Sequence, residues 1–172
     1  MINEKMTTQL NVQFNKELYS AYLYLGMSAW CANAGYNGAA SWFMLQYDEE
    51  QMHALKIYNY MLSQGSKIEL MSIEKPEMNY ASLLNCFQNS LLHEQKMTKS
   101  FNKLCDLAIK QKDHTSYGFF QWFLQEQIEE EATVAYIISE LNHVDDKNGI
   151  FMIDNKLSER NATKQGTTNN AN

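Results

Sequence analysis

Apolar residues recur every three or four positions in four long stretches of the chain, which is the spacing of helices that each bury one face. The first stretch predicts a helix over about residues 5–34, because it stops at the glycine-containing turn 35–38. Its stripe consists of Leu10, Phe14, Ala21, Leu25 and Ala29. The second stretch ends at Gly65, a residue typical of helix C-termini. Its stripe consists of Phe43, Tyr47, Ala54, Ile57 and Met61.

The third and fourth stretches have the same spacing but include polar members. The third consists of Leu84, Phe87, Leu91, Glu94, Phe101, Cys105 and Ala108. The fourth consists of Phe120, Phe123, Gln127, Glu130, Val134, Ile137 and Leu141. After Gly149, an amphipathic segment predicts a short fifth helix over residues 150–157. The domain is therefore expected to span residues 1–160, with 161–172 as a disordered polar tail.

The lengths of the connections predict how the helices are arranged. The first and last joints hold only a few residues and favour antiparallel pairs, whereas residues 66–81 form a long connection that contains Pro76. Extended at ~3.3 Å per residue, this connection reaches ~50 Å, enough to run the length of a ~27-residue helix. The sequence therefore predicts an all-α four-helix bundle in which the second and third helices are parallel and joined by one long crossover.

Composition and charge narrow the class of protein. The 172 residues, 45% hydrophobic with a single proline, suit one helical domain with a real core. The net charge of −6 and the lack of a run rich in lysine and arginine argue against nucleic acid or anionic membrane as partners and favour metal cations. No apolar leader or membrane span is apparent, so we expect a cytoplasmic protein. Cys31, Cys86 and Cys105 are expected to be reduced core thiols.

Four glutamates occupy core-spaced positions, one on each long stripe. They are Glu17, Glu50, Glu94 and Glu130, and His53 follows Glu50 by one helical turn. On helices that rise 1.5 Å per residue, the four fall roughly 18–26 Å from one end of the bundle, so they share a layer. Four buried carboxylates without cations would cost several kcal/mol each, whereas two divalent ions neutralise them. The pattern predicts a buried two-metal site.

Each of these five residues, taken alone, has a simpler structural explanation than metal binding. A single glutamate of this kind often reaches solvent along its stem, and a single histidine is usually an ordinary core or surface residue. The combination of all five is what favours a site. Oxygen ligands with one imidazole suit iron, manganese or zinc, and iron is favoured because a pair of Fe(II) ions can pass two electrons to dioxygen at once.

The motifs that carry these residues resemble those of the bacterial non-haem ferritins over about residues 1–160. The matching motifs are Glu17 with Tyr24, Glu49-Glu50-Gln51-Met52-His53, His93-Glu94-Gln95 and the segment 126–131. The resemblance implies a ferritin-like four-helix bundle with one long crossover and a short fifth helix. Di-iron carboxylate proteins commonly build their metal site inside such a bundle, from glutamates and a Glu-x-x-His step on facing helices.

The resemblance also implies roles for individual residues. Glu17, Glu50 and His53 would bind a first iron, Glu50 would bridge, Glu94 and Glu130 would bind the second, and Gln127 would support the site by hydrogen bonding. A third iron site would be formed by Glu49, Glu126 and Glu129 with Glu130 shared, although a solvated acidic face explains the first three equally well on spacing alone. Tyr24 would supply an electron, as Trp122 would more weakly, but a core tyrosine with a satisfied hydroxyl has the same spacing.

The implied activity is a ferroxidase that oxidises Fe(II) with O2 or H2O2 and stores Fe(III) mineral inside a 24-subunit cage. The short fifth helix would line the fourfold pores of this homo-oligomer. Haem is not expected, because Gln51 follows Glu50 where haem-binding relatives carry methionine, and Gln127 and Glu130 replace their second ExxH motif. Segment 117–120 lacks the carboxylates of the threefold pores of animal ferritins, so an acidic entry there is in doubt.

Other classes of protein remain open at this point. A di-iron oxidase of organic substrates could use the same ligands but would need a lined pocket, and little chain is left beyond the bundle to build one. A purely structural bundle, or a cage subunit that stores iron without oxidising it, would be expected to lack one or more of the six centre residues, all of which are present. A DNA-protecting mini-ferritin is disfavoured, because such proteins often carry a basic tail and this chain ends in a nearly neutral one.

Overall fold

The computed structural model describes residues 2–144 and 146–159, and within these ranges it contains five helices and no strand. The helices are α1 (Glu4–Asn33), α2 (Asn37–Ser63), α3 (Leu83–Gln111), α4 (His114–Asn142) and α5 (Lys147–Ser158). The prediction of an all-α bundle with a short fifth helix is therefore confirmed. The predicted tail, 161–172, lies outside the described residues. None of the helices described is both long and apolar enough to cross a membrane.

Local side-chain caps explain where four of the helices begin. Asn3 accepts a hydrogen bond from Met6 N (2.9 Å), and Ser82, Asp113 and Asp146 cap α3, α4 and α5 in the same way. Each cap satisfies a backbone N–H that has no partner within the helix. Gly35 ends the turn after α1 with a φ of 86°, a conformation that costs glycine little.

Helix α2 begins differently, because α5 supplies its cap. The buried Asp154 carboxylate accepts hydrogen bonds from Gly38 N (3.1 Å) and Ala39 N (2.8 Å). The two backbones are so close that a Cβ at position 38 would lie 1.6 Å from the Asp154 carbonyl oxygen. A glycine at position 38 is therefore required for α5 to dock.

The fifth helix is longer than the sequence predicts. It begins at Lys147 and not at residue 150, because the Asp146 side chain accepts a hydrogen bond from Gly149 N at 2.7 Å. Gly149 thus lies inside the first turn and does not interrupt the helix. Its lack of a side chain also lets Val144 pack against it, since a Cβ there would meet Val144 at 2.8 Å.

The long crossover runs beside α1 and makes α2 and α3 parallel, as predicted. Asn11 Nδ2 donates to Lys67 O (3.0 Å) near the start of α1, and the Trp30 ring lies 5.4 Å from that of Tyr80 near its end. Helix α3 then returns in the opposite direction along α1. Because α2 is also antiparallel to α1, α2 and α3 point the same way.

The core consists of two apolar clusters with a polar layer between them. The upper cluster includes Trp42, Phe43, Phe87 and Val134, and the lower cluster includes Leu10, Ile57, Phe101 and Phe123. On every long helix the residues between the two clusters include a buried glutamate. The three cysteines are buried and free, as expected. The four buried glutamates of the long helices therefore lie at one level, between the two apolar clusters.

Candidate metal centre

Each of the four long helices contributes one carboxylate to the polar layer. The exposed fractions are 1% for Glu17, 1% for Glu50, 0% for Glu94 and 9% for Glu130. All four side chains are thus inside the bundle and do not reach solvent along their stems. Since buried carboxyl groups are usually paired, protonated or bound to cations, the layer suits a positive partner.

Glu17, Glu50 and His53 form the tightest group, with one potential ligand atom from each lying within 4.8 Å of the others. His53 Nδ1 is 3.6 Å from Glu50 Oε2 and 4.0 Å from Glu17 Oε2. These separations are too long for hydrogen bonds but suit atoms that share one metal ion. Glu50 Oε2 is buried and has no hydrogen-bond partner among the described residues. A partnerless oxygen of this kind fits a cation between the three side chains.

Glu94 and Glu130 lie beside this group, and each accepts hydrogen bonds from neighbouring side chains. Gln127 Nε2 donates to Glu94 Oε2 at 2.8 Å, and the Tyr24 hydroxyl donates to Glu94 Oε1. Gln46 Nε2 donates to Glu130 Oε2 at 2.6 Å. These two carboxylates are therefore fixed in orientation, and neither belongs to the close three-residue group.

The electrostatics of the layer follow from burial and crowding. Burial, and then the charge of Glu50, raise the pKa of Glu17 well above its usual value. Burial, and then the charge of Glu94, do the same to the pKa of Glu50, and burial raises the pKa of Glu94. Without metal, the ionised form of these carboxylates is therefore disfavoured. A pair of bound divalent cations would instead favour the ionised form.

Tyr24 and Trp122 lie on opposite sides of the layer. Tyr24 is fully buried, and burial followed by the charge of Glu94 raises its pKa well above the usual value, so its hydroxyl stays protonated and donates. Trp122 is 38% exposed, and its ring centroid is 5.5 Å from that of His53 in a perpendicular arrangement. Tyr24 therefore contacts the layer through Glu94, and Trp122 contacts it through the His53 ring.

Two of the three residues expected at a third site share a surface depression beside the centre. Glu49 and Glu126 line this open depression of about 450 Å³ together with His53, Lys56 and Trp122. Glu129 is exposed and does not line it. The depression thus connects solvent with the imidazole of the close group.

Two glutamines in the site were missed by sequence reasoning. Gln13 Nε2 donates to Glu17 Oε1 at 2.7 Å, and Gln46 donates to Glu130. Both are fully or almost fully buried. A signal was present, because each precedes a site glutamate of its own helix by four residues and so lies on the same buried face: Gln13 before Glu17, and Gln46 before Glu50.

The chain is similar to a known family over most of its length. The family described as the ferritin-like domain matches residues 7–144. The bacterial non-heme ferritin of Staphylococcus aureus (strain MRSA252) is 35% identical over 161 residues, which are 93% of this chain and 97% of that protein. The bacterial non-heme ferritin of Staphylococcus saprophyticus subsp. saprophyticus is 37% identical over 93% of this chain and 96% of that protein.

Solved structures give the same result for the fold. An open pore ferritin from the hyperthermophilic archaeon Archaeoglobus fulgidus superposes with a TM-score of 0.91 at 37% sequence identity, over 92% of this chain and 98% of that chain. An engineered closed form of the Archaeoglobus fulgidus ferritin gives the same TM-score at 36% identity.

Proposed function

Because this chain belongs to the ferritin-like family, which supports a role in iron storage, we propose that it oxidises Fe(II) at the carboxylate layer and deposits the Fe(III) inside a cage of 24 copies. The observation that carries the proposal is the buried group of Glu17, Glu50 and His53, with a carboxylate oxygen that lacks a partner. Nothing in an ordinary helical core requires these three side chains to converge.

In the proposed reaction, iron is the substrate. Glu17, Glu50 and His53 bind the first Fe(II), Glu94 and Glu130 bind the second, and Glu50 bridges the two. Each Fe(II) gives up one electron, and O2 takes up both electrons with two protons to become H2O2. H2O2 can itself serve as the oxidant by accepting two further electrons and two protons to become two molecules of water.

The hydrogen bonds of the layer support this division of roles. Gln127 and Tyr24 hold the two oxygens of Glu94, while Glu50 keeps a free oxygen between the two halves of the layer. Fixed ligands position a substrate ion, and a freer carboxylate can bridge two ions as their charges change. The rising positive charge of the oxidised pair is matched by four carboxylates, and burial raises the pKa values of three of them, Glu17, Glu50 and Glu94.

Tyr24 and the surface depression have secondary roles in the proposal. Tyr24 supplies an additional electron to the oxidant, and its contact with Glu94 keeps it beside the second iron. Glu49 and Glu126, which line the depression beside His53, form a third iron site together with Glu129 and the shared Glu130. Iron leaving the centre would pass this site on its way to the mineral.

Storage requires more than one copy, because a single bundle cannot enclose a mineral. Phe151 and Met152 of α5 are 64% and 71% exposed, and apolar side chains this exposed on a short docked helix are suited to contacts between copies. We place them at the fourfold pores of the cage. The cytoplasm, where three free cysteines stay reduced, is the proposed location.

The proposal is tested by adding Fe(II) to the apo-protein without oxygen and then admitting O2, while ferric absorbance and particle mass are followed together. Rapid oxidation, followed by retention of many more irons than there are binding sites in a particle of cage size, is the expected result. His53→Ala should abolish the rapid phase, whereas His143→Ala, which removes an exposed histidine at the C-cap of α4, should not. A small particle that holds only its bound iron pair would refute storage and favour an oxidase of organic substrates.

A further inference from the structure

Gln13 is a buried amide that contacts Glu17 on one side and Ser100 of α3 on the other. Its Nε2 donates to Glu17 Oε1 at 2.7 Å, and its Oε1 accepts from Ser100 Oγ at 2.5 Å. Ser100 Oγ in turn accepts a hydrogen bond from Lys16 Nζ at 2.7 Å. An unbroken chain of hydrogen bonds thus runs from a lysine at the surface to a carboxylate in the centre.

The direction of this chain is determined by the ammonium group at its outer end. A lysine ammonium can only donate, so the Ser100 hydroxyl accepts from Lys16 and directs its own hydrogen to Gln13. The Gln13 oxygen is thereby turned towards Ser100, and its NH2 group must face Glu17. Without the lysine, the hydroxyl could donate in either direction and the amide could rotate by half a turn.

The orientation of Gln13 decides which oxygen of Glu17 is available to metal. Glu17 Oε1 is engaged by the amide, which leaves Oε2 facing His53 Nδ1 at 4.0 Å. Burial, and then the charge of Glu50, raise the pKa of Glu17, and the hydrogen bond from Gln13 opposes this by stabilising the ionised carboxylate. A reversed amide would present its oxygen to Glu17 and repel the same carboxylate.

We propose that Lys16, Ser100 and Gln13 form an orienting relay that fixes Glu17 as a ligand of the first metal ion. The three are positioning residues, since none of them touches the metal. The relay links α1 with α3, so the geometry of the first metal ligand depends on the packing of a helix that otherwise serves the second. This inference rests on the proposed function, because it assigns Glu17 to the first iron.

The test measures Co²⁺ binding to the oxygen-free apo-protein, with the visible absorption of the bound ion as a second readout. Ser100→Ala should weaken binding at the first site about tenfold, the usual effect of removing a group that orients a metal ligand. It should also alter the Co²⁺ spectrum at saturation, because Glu17 loses its fixed orientation. Ser100→Thr keeps the hydroxyl and should restore both. Ser28→Ala, which removes a similar bond to Ala40 O (2.8 Å) far from the centre, should change neither.

A charge comparison separates the relay from simple electrostatics. Lys16→Met removes a positive charge near the site, which by repulsion alone would tighten cation binding, but the relay predicts weaker binding. Lys103→Met removes a neighbouring charge that lowers the pKa of Lys16 and lies outside the relay, and it should leave binding unchanged or tighter. Tighter binding in both lysine variants would overturn the proposal.

Glu17→Ala distinguishes failure of the relay from failure of the proposed function. If Glu17→Ala weakens Co²⁺ binding but Ser100→Ala binds like the parent, the relay is refuted and the centre stands. If Glu17→Ala itself has no effect, then Glu17 is not a ligand, and both the assignment of the first iron and the relay are wrong.

Discussion

Replacing Glu50 by glutamine is expected to affect the metal-free and the metal-bound protein in opposite directions. Glu50 is 1% exposed, and burial followed by the charge of Glu94 raises its pKa well above the usual value. Its Oε2 has no hydrogen-bond partner among the described residues. Glutamine keeps the size of the side chain and removes the charge, so the change in stability isolates the electrostatic contribution.

The sign of the effect without metal follows from proton linkage. Because the folded protein binds the Glu50 proton more tightly than the unfolded chain does, this group stabilises the wild-type fully below the usual carboxyl pKa of 4.5. The stabilisation is lost as the pH rises towards the raised pKa of the folded state. Replacing buried charged groups by neutral ones of similar volume often stabilises by about 1–4 kcal/mol, and we expect about 2 kcal/mol for Glu50→Gln at pH 8.

Divalent metal reverses the order of stability. A ligand present at a hundred times its dissociation constant stabilises the folded state by about 2.7 kcal/mol per site. The wild-type should receive this stabilisation in full, whereas the variant lacks the carboxylate that we propose bridges the two ions and should receive little of it. The variant is therefore expected to be the more stable protein in chelator and the less stable one in zinc, a metal without redox chemistry.

Guanidinium unfolding followed by far-UV circular dichroism measures both effects, at pH 5 and pH 8 and with either chelator or Zn²⁺. Glu74→Gln, a change at an exposed position in the crossover, is the matched control and should stay within about 0.5 kcal/mol of the wild-type. The reasoning fails if Glu50→Gln is the less stable protein in chelator at pH 8, or if zinc stabilises it as much as the wild-type.

Three further predictions concern other parts of the molecule. Tyr24→Phe should bind Co²⁺ almost as the parent does but lose the tyrosyl-radical signal in electron paramagnetic resonance after Fe(II) meets oxygen; a persisting signal would assign the radical elsewhere. Glu126→Gln should reduce the iron oxidised in the first turnover to that of the paired centre alone, as measured by anaerobic titration, and an unchanged stoichiometry would remove Glu126 from the third site. Gly38→Ala would place a Cβ 1.6 Å from the Asp154 carbonyl oxygen, so it should undock α5 and reduce the particle mass, whereas Gly118→Ala, whose Cβ meets nothing within 4 Å, should assemble normally and gain about 0.5–1 kcal/mol.

The parts of the fold that depend on helical periodicity could be predicted from the sequence. The stripes of apolar residues identified all four long helices, and the length of the crossover identified the parallel pair. The start of α5 could not be predicted in the same way. Glycine usually weakens a helix, so the sequence predicted that the helix begins after Gly149. Its actual role depends on Asp146 capping its N–H and on the close approach of Val144, which are three-dimensional facts.

The site was predictable as a set of acidic positions but not as a network. The helical spacing of the apolar residues predicted that four glutamates lie on buried faces, as they do. They were easy to recognise because a charged residue is unusual at such a position. Gln13 and Gln46 do not stand out, since an uncharged polar residue on a helix is ordinarily solvated. Their importance depends on side-chain rotamers and on partners from other helices, such as Ser100 for Gln13, and periodicity does not encode these.

The distribution of the site along the chain has a consequence for protein synthesis. Glu17, Glu50 and His53 come from α1 and α2, whereas Glu94 and Glu130 come from α3 and α4. A nascent chain on the ribosome can close the α1–α2 hairpin and offer one set of ligands long before α4 has emerged. Under the proposed function, such a chain could hold one iron but could not pair it with a second. Under the same proposal, two-electron chemistry with oxygen is withheld from unfinished chains, and translation sets the earliest moment at which the centre becomes reactive.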